Sequence, residues 1–153
     1  MSRCVIEIEY LDHYQEAWGL LKYAKNGDSG FDLRAAINGK VILYSHKPAI
    51  IPSGIRVGIP SGYEIQIRTR SGMAAKHGLV VTNSCGTIDS SYEGEIGIIC
   101  HVVAVSGKAF TITPGMRIAQ AVVTKVPSVT LRAVSKIQTG SARGTGGFGS
   151  TGA

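Results

Sequence analysis

The sequence predicts an all-β domain, either a sandwich or a barrel, with one short helix. Short runs of β-branched and apolar residues are separated by glycine or proline at close intervals. Such spacing is typical of folds built from many short strands. The 153 residues include 20 glycines and 5 prolines, which favours turns over long helices. A single domain of this length can bury a substantial core.

Alternation of apolar and polar residues predicts the individual strands. The stretch CVIEIEY alternates with period two and is typical of an opening strand. Turn residues in KNGDSG precede FDLRAA, which predicts a short second strand. The remaining strands are predicted, in order, within KVILYS, PAIIPSGIRVGIP, GYEIQIRTR, LVVTN, GTID, EIGIICHVVAV, KAFTITP and RIAQAVVTKVPSVTLRAV.

One stretch, RSGMAAKHG, has helical rather than strand character. Residues 73–76 favour a helix. Ser71 is expected to cap its N-terminus, and Gly78 is expected to end it.

The strand pattern fades near Ser135, where a tail rich in glycine begins. We therefore predict a β-domain over residues 1–134 and a flexible C-terminal arm over residues 135–153. The sequence contains neither an internal repeat nor an interdomain linker.

The net charge of +6 fits anionic partners such as nucleic acid, a membrane surface or a phosphorylated small molecule. The basic residues are scattered, so direct nucleic-acid binding is not expected. The apolar runs are too short to cross a bilayer, and the stretch MSRCVIEIEY lacks the apolar core of a signal peptide. We expect no membrane partner and a cytoplasmic location, or the nucleus or a host cell interior for a eukaryotic or viral source.

The three cysteines, Cys4, Cys85 and Cys100, show no C-x-x-C spacing. An odd number without a metal-binding spacing predicts free thiols in a reducing compartment. The four histidines are dispersed, and no zinc-binding or nucleophile-elbow pattern is present.

Polar residues cluster where two of the predicted strands meet their turns. In DSGFDLRAA, Asp32 could serve a site or could close a turn through its own backbone. In RTRSGMAAKHG, Arg70, Ser71 and Gly72 lead into the helix, whose N-terminus attracts phosphate. The pattern leaves open a plain helix cap beside a surface arginine.

Two further stretches carry polar groups that could contact a nucleotide. The loop in TNSCGTIDSSYEGEIG holds Asn83, Asp89 and Tyr92, which can read a base edge, hold a water and stack on a sugar. In TPGMRIAQAVV, Arg117 and Gln120 interrupt an apolar strand. Because a buried polar side chain needs a partner, Gln120 is either a structural hydrogen-bonding residue or a ligand contact.

The tail RGTGGFGSTG is the fifth such stretch. It lacks the lysine and the following helix of a P-loop. Its glycines could still let backbone N–H groups surround an anion.

Taken in order, these five stretches resemble the five motifs of the trimeric dUTPases (deoxyuridine triphosphate nucleotidohydrolases). The resemblance runs from about Gly27 to Gly152 and rests on DSGFDLRAA, RSGMAAKHGL, NSCGTIDSSYEG, PGMRIAQ and RGTGGFGSTG. It implies a jelly-roll-like β-barrel with one short helix, assembled as a homotrimer whose active sites are shared. It also implies hydrolysis of dUTP to dUMP and pyrophosphate with Mg²⁺. That reaction keeps uracil out of DNA and supplies dUMP for dTMP synthesis.

The resemblance implies roles for the residues of the base and sugar site. Asp89 would orient the attacking water as general base, and Tyr92 would pack under the deoxyribose and exclude a 2′-hydroxyl. Asn83 would read uracil. The other substrate contacts of this hairpin would come from Thr87, Ile88 and Gly97.

For the phosphates, the resemblance implies contacts from the other motifs. Asp32 would reach Mg²⁺ through water, while the triphosphate itself holds the metal. Phosphate contacts would come from Arg70, Ser71, Gly72 and Gln120. The tail would close over the substrate, with Phe148 stacking on uracil and contacts from Arg143, Gly149, Ser150 and Thr151.

The chain departs from the family pattern at three places. Thr69 stands where the family often has proline, Ser91 stands where an acid usually precedes the tyrosine, and Met116 follows the glycine of the fourth motif. None of these changes removes a residue with an implied chemical role, but intersubunit ion pairs of relatives cannot be assumed.

Two other functions are compatible with the same fold. A dCTP deaminase would need a dedicated acid beside C4 of the base, and such enzymes usually diverge where this chain reads GTIDSSYEG. A non-catalytic nucleotide sensor or protein-binding module would use an intact pocket as a switch.

Overall fold

The computed structural model describes residues 4–45, 47–103 and 109–137, and within them it is a β-protein with one short α-helix. The all-β prediction is confirmed. The strands are β1 (Glu7–Tyr10), β2 (Gly30–Arg34), β3 (Val41–Leu43), β4 (Ala49–Pro52), β5 (Ile55–Gly58), β6 (Tyr63–Thr69), β7 (Leu79–Val81), β8 (Cys85–Ile88), β9 (Gly97–Val102), β10 (Phe110–Ile112) and β11 (Arg117–Lys125). The helix α1 is Ser71–His77, and a 3₁₀ turn spans Glu16–Trp18.

The strands form a four-stranded sheet, a three-stranded sheet and two strand pairs. Their orders are β2-β11-β6-β8, β4-β9-β7, β1-β5 and β3-β10. All of these strand pairs are antiparallel, which is compatible with the jelly-roll arrangement that the family resemblance implies.

The core follows from the period-two alternation of the strands. On β6, Ile65 and Ile67 are almost fully buried, whereas Arg68 between Ile67 and Thr69 is exposed. The three-stranded sheet contributes Ile98 and Cys100 to the same core. Because successive side chains of a strand point to opposite faces, alternation in the sequence becomes one buried face and one polar face.

The described cysteines are free, as predicted. Burial raises the pKa of the Cys100 thiol to about 11, so this thiol stays protonated at neutral pH and packs as a small apolar group.

The helix begins one residue earlier than predicted. Arg70, with φ −81° and ψ 129°, is the N-cap residue, and Ser71 is already helical, so the predicted capping role of Ser71 is wrong. The chain leaves β6 in an extended conformation, and the Arg70 carbonyl accepts hydrogen bonds from the N–H groups of Met73 and Ala74. The predicted end at Gly78 is confirmed, since Gly78 adopts φ +64°.

The last strand is shorter than the sequence pattern suggested. β11 ends at Lys125, which pairs with Tyr63, the first residue of β6. Beyond this point β6 offers no further residue for pairing. Pro127 then follows, and proline donates no ladder hydrogen bond. Residues 126–137 are exposed coil, with apolar side chains at Val129, Leu131, Val134 and Ile137.

The N-terminal segment packs against the rest of the domain through β1 and an aromatic row. β1 pairs with β5. The ring centroids of Tyr10 and Tyr14 lie 4.7 Å apart, and those of Tyr14 and Trp18 lie 5.3 Å apart. Burial raises the pKa of Tyr14, whose hydroxyl donates to the Gly19 carbonyl at 2.7 Å. In the described part of the chain, no helix has the length and apolar character needed to span a membrane.

Gly54 is a point where the packing tolerates no side chain. It is buried with φ +71°, and an added Cβ would lie 2.7 Å from the Ala36 Cβ and 3.0 Å from the Tyr14 Cβ. Both neighbours are β-carbons fixed by their backbones, so neither can rotate away.

We predict that Gly54→Ala lowers the free energy of unfolding by about 3 kcal/mol, because a left-handed φ and steric overlap both penalise the added methyl group. The matched control is Gly39→Ala, where an added Cβ meets open space and the change is expected within about 1 kcal/mol. Chemical denaturation of both variants measures the difference. Equal stabilities would contradict the packing described around Gly54.

Candidate functional site

Asp32 lies at the centre of a group of charged side chains contributed by three of the motifs. Arg70 donates from Nε to Asp32 Oδ1 at 2.6 Å and from Nη2 to Oδ2 at 3.3 Å. Arg117 donates from Nη1 to Asp32 Oδ2 at 3.2 Å. Arg70 also donates from Nη1 to the Arg117 carbonyl at 3.0 Å. The carboxylate therefore holds two arginines side by side.

Strand pairing explains why these residues meet. Asp32 on β2 pairs with Gln120 on β11, and Gln120 pairs in turn with Arg68 on β6. Arg70 follows the end of β6, next to the bulge between Arg117 and Ala119 on β11. The two sequence-predicted residues Asp32 and Arg70 are thus brought together.

Gln120 has a backbone partner in this arrangement. Its Nε2 donates to the Thr69 carbonyl at 3.0 Å. Of the two roles that the sequence left open, a structural hydrogen bond or a ligand contact, this is the structural one. Ser71 and Gly72 are exposed in the first turn of α1, directly after Arg70. We name Asp32, Arg70, Arg117 and Gln120, together with this first turn, the arginine group.

A second group of predicted residues lines a cavity of about 400 Å³. This volume lies within the usual range for small-molecule sites. The apolar lining comes from Ile50, Ile67, Val81 and Ile99, and the polar lining includes the predicted residues Asn83, Thr87, Asp89 and Tyr92. Ile88 and Gly97 line it as well. We call this cavity the hairpin pocket.

Tyr92 and Asp89 lie on the exposed turn at the mouth of this pocket. The Tyr92 N–H donates to the Asp89 carbonyl at 3.1 Å, which closes the turn just after β8. The Tyr92 hydroxyl donates to the Glu95 carbonyl at 2.9 Å. Gly94 leaves room for the Tyr92 ring in this position, since a Cβ at Gly94 would lie 2.5 Å from the Tyr92 hydroxyl oxygen.

Asp89 and Arg70 are well separated on one chain, although the hairpin pocket extends towards the end of β6 through Ile67 and Val81. Ile88 pairs with Ile65 near the start of β6, whereas Arg70 follows the end of the same strand. At the rise of an extended strand, Asp89 and Arg70 lie roughly 20 Å apart along β6. None of the residues lining the hairpin pocket belongs to the arginine group, within the described part of the chain.

The remaining predicted contacts fall on the tail. Arg143, Phe148, Gly149, Ser150 and Thr151 lie outside the described residues, so their roles stay predictions.

The donor set limits how a metal could be held. Among residues 4–45, 47–103 and 109–137, no group of three or more His, Cys, Asp or Glu side chains could bind a metal ion. Asp32 offers a single carboxylate, which already accepts from two arginines. This fits Mg²⁺ carried mainly by substrate phosphates and water, with at most one protein carboxylate nearby, and it does not fit an all-protein cage.

Comparison with known proteins places the chain in a family. The dUTPase family model matches residues 16–152. The chain belongs to the dUTPase family. Two relatives are named deoxyuridine 5′-triphosphate nucleotidohydrolase. That of Chlamydia trachomatis serovar L2 is 51% identical over 134 residues, covering 87% of this chain and 90% of the relative. That of Orientia tsutsugamushi strain Boryong is 44% identical over 147 residues, covering 96% and 97%.

The fold agrees with solved structures of the family. The dUTPase of Staphylococcus bacteriophage 80alpha, solved with dUPNHPP, superposes with a TM-score of 0.81 at 26% identity, covering 97% of this chain and 99% of the phage chain. The jelly-roll-like fold class expected for the family is thereby confirmed.

Sequence reasoning missed Glu95, which lines the hairpin pocket, and His13, which contacts Glu95. Glu95 Oε1 accepts from the Gly54 N–H at 2.7 Å and lies 2.8 Å from His13 Nε2. No local pattern signals this contact, because His13 and Glu95 are 82 residues apart. An acid just before the buried run of β9 was the one available hint.

Asp32 is expected to stabilise the fold as well as the site. We predict that Asp32→Asn lowers the free energy of unfolding by about 1 kcal/mol, since three charge-assisted hydrogen bonds from two arginines lose their anionic acceptor at a partly exposed side chain. The control is Glu9→Gln, which removes a 3.8 Å ion pair between Glu9 and Arg56. The side chains of this pair are 63% and 50% exposed, so the free energy of unfolding should change by less than about 0.5 kcal/mol. Urea denaturation compares the two. An Asp32→Asn protein as stable as wild type would show that the cluster contributes nothing to folding.

Proposed function

We propose that this chain hydrolyses dUTP to dUMP and pyrophosphate, through attack of water on the α-phosphate. The observation that carries the proposal is the hairpin pocket, in which Asn83, Asp89 and Tyr92 line one nucleotide-sized cavity in a chain of the dUTPase family. The phage relative solved with dUPNHPP supports the choice of substrate.

The base and sugar fit the hairpin pocket by its chemistry. The apolar lining can receive a flat pyrimidine, and the Asn83 amide can pair with a uracil edge. We assign Thr87, Ile88 and Gly97 to the same lining. Tyr92 packs under the deoxyribose, where a 2′-hydroxyl would collide with its ring. A pocket built this way rejects bases that leave its polar groups unpaired.

Asp89 acts on the attacking water. As the carboxylate at the mouth of the pocket, it accepts a proton while the water oxygen bonds to the α-phosphorus. The bond from the α-phosphorus to the bridging oxygen breaks, and pyrophosphate leaves with that oxygen.

The arginine group receives the phosphates. Arg70, the N–H groups of Ser71 and Gly72, and Gln120 supply positive charge and donors to the triphosphate. Phosphoryl transfer depends mainly on positioning and charge neutralisation. Asp32 keeps Arg70 and Arg117 oriented towards the same place before the anion arrives.

Mg²⁺ bound to the triphosphate would neutralise charge that develops on the phosphate oxygens. Asp32 is the carboxylate of the arginine group and the residue that would face the hydrated metal.

A complete site needs more than one chain. Arg70 and Asp89 of a single chain are roughly 20 Å apart along β6, whereas both are assigned here to the reacting triphosphate of one nucleotide. We therefore propose sites shared between the chains of a homotrimer, with the hairpin pocket of one chain facing the arginine group of another. The exposed apolar side chains of residues 126–137, which lead into the predicted arm over residues 135–153, suit a segment that packs against a neighbour.

We assign the remaining substrate contacts to the predicted arm. Arg143 would contact the phosphates, Phe148 would stack on uracil, and Gly149, Ser150 and Thr151 would close over the triphosphate. We place the activity in the cytoplasm or a host cell interior, where deoxynucleotide pools are used.

The proposal is tested by incubating the full-length protein and Mg²⁺ with dUTP, dCTP, UTP or dTTP. We expect pyrophosphate release from dUTP at least about a hundredfold faster than from the others. Ammonia released from dCTP would identify a deaminase instead. Tight dUTP binding without turnover would identify a sensor.

The control for this assay is Asp89→Asn, which keeps the shape of the side chain but removes its basicity. We expect turnover to fall by about a thousandfold or more while dUTP still binds. Near-normal activity would show that another group handles the water.

Shared sites are tested by complementation. Arg70→Ala and Asp89→Asn chains, each inactive alone, are co-expressed in equal amounts. If a site takes Arg70 from one chain and Asp89 from another, random mixing restores about a quarter of the wild-type activity, since one pairing in four joins two intact residues. Activity no higher than that of the single variants would overturn the shared site.

A further inference from the structure

We infer that Glu95 and His13 position the Tyr92 ring, and that the N-terminal segment thereby takes part in sugar selection. The inference rests on the proposed function, because it takes Tyr92 as the surface beneath the deoxyribose. It assigns a positioning role to His13, which lies outside the lining of the hairpin pocket, and to the side chain of Glu95, which lines the pocket beside Tyr92.

The first step is the dependence of Tyr92 on Glu95. The Tyr92 hydroxyl donates to the Glu95 carbonyl at 2.9 Å, and the ring lies against Gly94. The residues from Ser90 to Glu93 are exposed. The ring is therefore held from its hydroxyl end by the backbone of Glu95.

The second step is the anchoring of Glu95 itself. Its Oε1 accepts from the Gly54 N–H at 2.7 Å and from His13 Nε2 at 2.8 Å. Both donors lie outside the hairpin, and the Glu95 side chain is 28% exposed. From the next residue onward the chain is held by its backbone, since the Ile96 N–H donates to the Ile55 carbonyl at 3.0 Å. That N–H shares a planar peptide group with the Glu95 carbonyl, so the Glu95 side chain adds a second anchor to the acceptor of the Tyr92 hydroxyl.

The third step connects this anchor to the N-terminal segment. The Leu11 N–H donates to the Gly54 carbonyl at 2.9 Å, and Tyr14 packs against Gly54. His13 lies between these two contacts and reaches Glu95 directly. Gly54 therefore joins the Leu11–Tyr14 stretch on one side to the Tyr92 turn on the other.

A displaced ring would collide less with a ribose. Exclusion of a 2′-hydroxyl by crowding depends on a fixed distance between ring and sugar, and an error of about 1 Å in a positioned group can cost on the order of a hundredfold. Loss of the Glu95 anchor should therefore weaken selection of deoxyribose more than it weakens the chemical step.

The test compares Glu95→Ala, Glu95→Gln and the control Glu93→Ala, an exposed acid two residues away. The measurement is the ratio of kcat/KM for dUTP to kcat/KM for UTP in the full-length protein. We expect the ratio to fall about tenfold in Glu95→Ala. Glu95→Gln should restore it to within about twofold of wild type, because its amide oxygen can accept the same two hydrogen bonds. Glu93→Ala should match wild type.

Equal ratios in Glu95→Ala and Glu93→Ala would overturn the inference. If Glu95→Ala does not fold, His13→Ala carries the test, with an expected fall of about threefold because the Gly54 hydrogen bond survives. An unchanged ratio in His13→Ala would then count against it.

A binding measurement separates this inference from the proposed reaction. Calorimetry with α,β-imido-dUTP and its ribose counterpart gives the same selection ratio without turnover. A wild type that prefers the deoxy analogue but hydrolyses no dUTP would refute the reaction and leave the inference testable. A loss of preference in Glu95→Ala would support it, and a preserved preference would refute it.

Discussion

The pairing of β6 with β11 on one side and β8 on the other determines where the functional side chains lie. The β11 pairing sets Gln120 beside Asp32 and near Arg70, and the β8 pairing carries Asp89 to the far end of the strand. Because an extended strand rises by about 3.3 Å per residue, one chain holds Arg70 apart from Asp89, the two residues to which we assign phosphate binding and orientation of the water. The shared active site that we propose follows from this geometry.

Charge balance shapes the arginine group. Two guanidinium groups next to each other would repel, and Asp32 compensates by accepting hydrogen bonds from both Arg70 and Arg117. In the site that we propose, an incoming triphosphate with its metal would change this balance, since it would supply anionic oxygens to the same arginines. Asp32 is therefore well placed both to orient the arginines and to face a hydrated cation.

The N-terminal segment is joined to the hairpin pocket through Gly54. This glycine takes a left-handed conformation, binds the Glu95 carboxylate through its N–H and accepts from Leu11 through its carbonyl. One backbone residue thus connects two parts of the chain that are distant in sequence. Because Gly54 has no side chain, Tyr14 can pack closely against it, so the packing of Tyr14 and the anchoring of Glu95 depend on the same residue.

The sequence by itself determined the all-β class, most strand positions, the helix and its end at Gly78, because alternation and turn chemistry are local properties. It also marked Asp32, Arg70 and Asp89 through motifs. Only the tertiary structure decided that Arg70 rather than Ser71 caps the helix, since the cap depends on how the chain leaves β6. The same holds for the contact between His13 and Glu95 and for the separation of Asp89 from Arg70. These arise from strand register and long-range packing, which no short stretch of sequence encodes.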